Sequence, residues 1–139
     1  RHGCPQQPQD LLQHAGLRPA VSAVRRELTL YRQIPDGQAN DSIRLALPPT
    51  VLATPQIELI LSAALAGLGV AGLPSFVSAQ ALREGRLQRL LPDWRGTTLN
   101  LYVAMPTRKS VPARSRVFID FLLQTFGGNR NDPWLSGAL

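Results

Sequence analysis

The sequence predicts an open α/β domain with strands of mixed direction, and three observations carry that expectation. Apolar residues alternate with polar ones at Leu28 and Leu30, and again at Ile43, Leu45 and Leu47, the period of half-buried strands. Ile57, Ile60, Leu61, Ala64 and Leu68 recur at helical spacing and make one apolar stripe. A short uninterrupted run, Val70-Ala71-Gly72-Leu73, then sits between two helical segments, the order of a parallel strand covered by helices.

Taken in order, the opening through Pro5 and Pro8 is turn material, followed by a short helical segment over residues 10–14 that Gly16 is expected to end. Residues 20–32 read as extended. Ile34-Pro35-Asp36-Gly37 is a turn, because Pro35 presets φ and Asp36-Gly37 tolerates positive φ, so a β-hairpin joins the two alternating stretches. Thr54 is placed as the cap of the next helix, with Pro55 at its first position and Glu58 favourable to its dipole. Gly67 and Gly69 stop that helix. Ser75 opens a second one that ends near Glu84, with Gly85 as the left-handed residue behind it. Leu87, Leu90 and Leu91 suggest a further strand before the Pro92-Asp93-Trp94 corner. Residues 97–105 read as a strand with Leu99, Leu101 and Val103 on one face. Residues 112–126 read as a closing helix with Phe118, Phe121 and Leu122 inward.

The 139 residues suit one compact domain whose core needs no metal or disulfide. Cys4 is the one cysteine, so no disulfide can form within the chain, which fits a reducing cytoplasm. The formal charge of +6 is almost all arginine, Lys109 being the single lysine. Those arginines are scattered and not interleaved with aromatics, so they read as solvated surface rather than a nucleic-acid face. No apolar run is long enough for a membrane span.

No catalytic constellation is legible. His2, Cys4 and His14 crowd into one loop without a downstream ligand, and no metal or cofactor is expected. Most of the carboxylates fall at turns and helix ends, where capping and solvation explain them. Gly67, Gly69 and Gly72 have the spacing of a dinucleotide fingerprint, but the helix precedes the strand, and that reading fails. Leu52-Ala53-Thr54 at a helix start can face a carboxylated ligand, or Thr54 can simply cap its own helix; both readings stand.

The segment Ala63-Ala64-Leu65-Ala66-Gly67-Leu68-Gly69-Val70-Ala71-Gly72-Leu73-Pro74 resembles the effector domain of LysR-type transcription regulators, with its alanine-rich helix, Gly-x-Gly turn and strand ending in Leu-Pro. Three more stretches match in order. They are His2-Gly3 with Pro5, Pro8 and Asp10-Leu11; Gly85-Arg86-Leu87 with Leu90-Leu91-Pro92-Asp93-Trp94; and Tyr102-Val103-Ala104-Met105-Pro106 with Arg116-Val117-Phe118-Ile119-Asp120-Phe121-Leu122. The resemblance implies a type 2 periplasmic-binding-protein-like fold, two α/β lobes joined by crossover strands with a small, acidic effector between them. Residues 1–98 would be the second lobe, a mixed sheet flanked by helices. Residues 99–126 would be the crossover strand and helix returning to the first lobe, and 127–139 an unstructured tail. The first lobe and a winged helix-turn-helix, the family's only DNA contact, are expected outside this stretch.

The effector site is expected at two strand-to-helix junctions, Ala53, Thr54, Pro55 and Gln56 in one, Leu73, Pro74, Ser75 and Phe76 in the other. Leu99, Leu101, Val103 and Ala104 are expected to form a hinge between lobes. The helix over residues 54–67 is apolar beyond its core stripe, and Leu59, Ala63 and Ala66 are expected to meet a second copy of the chain. The resulting expectation is a cytoplasmic, self-associating sensor module that is not an enzyme and touches no membrane. The alternative is a lobe of an extracytoplasmic solute receptor serving a transporter. The sequence upstream of Arg1 separates the two, a winged helix supporting one and a signal peptide the other.

Overall fold

A computed structural model of the chain describes residues 3–20, 27–32, 41–97, 102–104, 112–126 and 134. The chain divides into two compact units, Arg1–Thr98 and Leu99–Leu139. In the first, a 3-10 turn (Pro8–Gln13) leads into β1 (Gly16–Pro19), β2 (Glu27–Arg32), β3 (Ser42–Ala46) and β4 (Thr50–Thr54). Then come α1 (Ile57–Leu65), β5 (Val70–Ala71), α2 (Ser75–Arg83) and β6 (Trp94–Arg95). The strands make two three-stranded sheets, a parallel one ordered β4-β1-β5 and an antiparallel one ordered β3-β2-β6.

The expected hairpin strands pair as their alternation requires. Leu28 lies opposite Leu45 and Leu30 opposite Ile43, so four apolar side chains share one face. Leu30 and Leu45 join Leu11 and Leu91 in a buried cluster, with Val70 and Trp94 packed against it. The Ile34-Pro35-Asp36-Gly37 turn lies outside the described residues. A second cluster forms where α1 crosses the parallel sheet: Ile60 is fully buried against Leu17 of β1, and Ala63 completes it. β5 serves both cores, because successive strand residues point to opposite faces. Val70 packs on the first cluster and Ala71 on the second.

Both helices of this unit end as their glycines dictate. Gly67 (φ 73°) and Gly85 (φ 67°) are left-handed. The Leu68 and Gly67 amides donate to Ala63 and Ala64, and the Arg86 and Gly85 amides to Ala81 and Leu82, so each helix closes in a Schellman motif.

Several expectations are corrected. Gly16 does not end a helix; it starts β1, packed against Pro48, and the opening turn has already closed at Gln13. Leu68 is exposed because α1 stops before it. Leu87, Leu90 and Leu91 form no strand; Leu91 is buried with φ 51°, and pairing begins only at Trp94. In the second unit, the closing helix is α3 (Ala113–Phe126), but it buries none of its residues, and Phe118 and Phe121 are exposed rather than inward. Thr97 and residues 102–104, the described part of the expected long strand, are not in strand. Of residues 127–139 only Trp134 is described, and its ring stacks on Phe126 with centroids 5.3 Å apart. Among the described residues no helix is long and apolar enough to cross a membrane.

Candidate functional site

Because β4, β1 and β5 run parallel, their carboxyl ends lie on one edge of the sheet. α1 leaves β4 and α2 leaves β5, so both helices begin on that edge. In open α/β sheets this is where ligands enter, between strand ends and helix starts. The two expected junctions are therefore brought to the same edge, one on each side of the end of β1.

At the first junction Thr54 is not the helix cap. It is the last residue of β4, opposite Pro19, and its carbonyl accepts the Ala20 amide at 2.9 Å. That pairing holds Thr54 extended, so the helix starts later, at Ile57 with Gln56 at the cap position. Pro55 accordingly precedes the helix instead of opening it. The Thr54 hydroxyl still orders this corner by accepting the Gln56 amide at 3.2 Å. Ala53, Pro55 and Gln56 are exposed, and Thr54 is half-buried.

At the second junction Leu73 packs against the Leu17–Ile60 core. Pro74 takes the cap position of α2, and its carbonyl accepts the amides of Val77 and Ser78. The Ser78 hydroxyl adds a bond to the same carbonyl at 3.3 Å. Ser75 thus stands in the first turn as expected, half-buried, with Phe76 beside it 50% exposed.

The electrostatics of the two helix starts differ. Each presents the positive end of a helix dipole. α1 carries Glu58 in its first turn, whereas α2 has no acidic residue there. An anion is therefore better accommodated at α2. The carboxyls with displaced pKa lie elsewhere. The Gln6 and Gln7 amides hold Asp10 below its usual range in the opening turn. The Gln80 side chain and then Arg86 do the same for Glu84 at the far end of α2. Asp10 caps the opening turn, and Glu84 is held by the side chains of Gln80 and Arg86, so neither belongs to the two junctions.

Pro19, which ends the strand between the two junctions, and Ala20 just after it were not among the expected site residues. Nothing local marks β1: it is four residues long, contains an arginine and ends in proline. Of the expected hinge, Leu99 and Leu101 lie outside the described residues, and Val103 and Ala104 are exposed. On the expected outward face of α1, Leu59 is 46% exposed and Ala66 is exposed. Ala63 is corrected to the core at 6% exposure, because α1 meets β1 along the Ile57, Ile60, Ala63, Ala64 side. Cys4 is exposed, His2 lies outside the described residues, and the His14 ring bonds the Asp10 carbonyl through Nδ1 at 2.9 Å. No group of three potential metal ligands forms among the described residues.

The chain resembles known proteins along most of its length. The LysR substrate binding domain model matches residues 1–127. The Escherichia coli HTH-type transcriptional regulator YhjC is 30% identical over 88% of this chain and 39% of its own length. The Pseudomonas aeruginosa HTH-type transcriptional regulator PtxR is 43% identical over a shorter stretch, 44% of this chain and 20% of its own length. The chain thus spans at most about two fifths of these relatives. Among solved structures, the regulatory domain of AphB from Vibrio vulnificus superposes with a TM-score of 0.63 at 21% identity, covering 88% of this chain and 57% of that one. Full-length AphB of Vibrio cholerae, a member of the LTTR protein family, gives the same TM-score at 20% identity, with 88% and 40% covered. These likenesses speak for the fold, which is the mixed α/β one expected. The relatives named are transcription regulators, and none is a transporter's solute receptor or an enzyme. With the family model covering nearly the whole chain, the protein belongs to the LysR substrate-binding-domain family, the effector-binding part of LysR-type transcription regulators.

Proposed function

We propose that this chain is the second lobe, with the returning elements, of an effector sensor that holds a small acidic molecule between two lobes. The observation that carries the reading is the meeting of two strand-to-helix junctions on one edge of a parallel sheet. Ala53, Thr54, Pro55 and Gln56 form one wall and Leu73, Pro74, Ser75 and Phe76 the other. The acidic group is assigned to the start of α2, where Ser75 supplies a hydroxyl and the first turn carries no carboxylate. Residues 99–104 act as the hinge. Effector binding shifts the balance between lobe arrangements, and with it the placement of a winged helix-turn-helix that binds DNA elsewhere in the whole protein. The whole protein works in the cytoplasm and self-associates, Leu59 and Ala66 lying in the contact.

The test is calorimetric titration of the full-length protein with a panel of small carboxylic acids and their amides. One or more acids should bind while the matching amides do not. Thr54→Val and Ser75→Ala should each weaken that binding about tenfold, the loss of roughly one good hydrogen bond. Equal affinity for acid and amide, or wild-type affinity in both variants, overturns the assignment.

A further inference from the structure

No further inference is drawn: the strongest candidate, the exposed Val117, Phe118 and Phe121 face of α3, carries nothing because nothing in the structure shows what covers it.

Discussion

The backbone carbonyl of Ala15 occupies the space that a side chain at Gly69 would need. A Cβ built on Gly69 collides with the Ala15 oxygen and approaches the Ala15 Cβ to 3.1 Å. The contact is tight because the Val70 amide donates to that carbonyl at 2.8 Å, anchoring the start of β5 to the start of β1. Gly67, two residues earlier, is required for another reason: its φ is positive, yet nothing lies within 4 Å of its built Cβ. The Gly-x-Gly turn therefore combines one conformational and one steric demand.

Alanine at the three glycines should rank them by cause. Gly69→Ala should cost the most, about 2–4 kcal/mol, since backbone must move. Gly67→Ala should cost about 1–2 kcal/mol for the left-handed backbone. Gly72→Ala has open space and no positive φ, and should change stability by less than about 0.5 kcal/mol. Urea unfolding of the three variants gives the order, and a Gly69→Ala protein as stable as wild type would remove the steric account.

The core under α1 is testable by truncation. Ile60→Ala should destabilise by about 2–5 kcal/mol, because Ile60 is wholly buried against Leu17. Leu59→Ala at the neighbouring, half-exposed position should cost less than about 1 kcal/mol when measured at high dilution. Similar losses at both positions would mean that α1 packs along a different side.

Self-association can be read separately from folding. Sedimentation equilibrium of the wild type at micromolar concentration should show dimer, and Leu59→Glu should shift it to monomer with unchanged circular dichroism. A charge placed on a buried contact is strongly disfavoured, whereas on a solvated helix face it is harmless. A wild-type monomer, or a dimer indifferent to Leu59→Glu, removes this contact.

The opening turn should make stability depend on pH through Asp10. Its carboxylate accepts the Gln6 amide at 2.9 Å and the Gln7 amide at 3.1 Å, which lowers its pKa from the usual 3.8. A folded-state pKa below the unfolded one means that the stabilisation is fully present above the unfolded value. It is lost as pH falls through the folded value. The difference in urea midpoint between wild type and Asp10→Ala should therefore be largest near pH 7 and shrink below about pH 4. A difference independent of pH would indicate that the carboxylate charge is not what holds the turn.

What the sequence by itself determined are the features whose causes are local. The hairpin of β2 and β3 and the face it buries follow from apolar alternation at Leu28, Leu30, Ile43 and Leu45. The two helix ends follow from Gly67 and Gly85, since a left-handed residue is a demand of the chain on itself. The position of both junctions in the chain was legible for the same reason, from Thr54-Pro55 and Pro74-Ser75. Only the tertiary structure decided that the junctions share an edge, because that depends on β1, a four-residue strand without a pattern of its own. Pairing with β1 also made a strand of Thr50–Thr54, which deferred the start of α1 to Ile57. The side on which α1 packs over Leu17 of β1 turned Ala63 into the core and left Leu59 outside. Helical periodicity can show that a helix has an apolar side, but how wide a side is buried is set by what lies beneath it. Gly69 shows the same division, since the Ala15 carbonyl it must avoid lies more than fifty residues earlier in the chain.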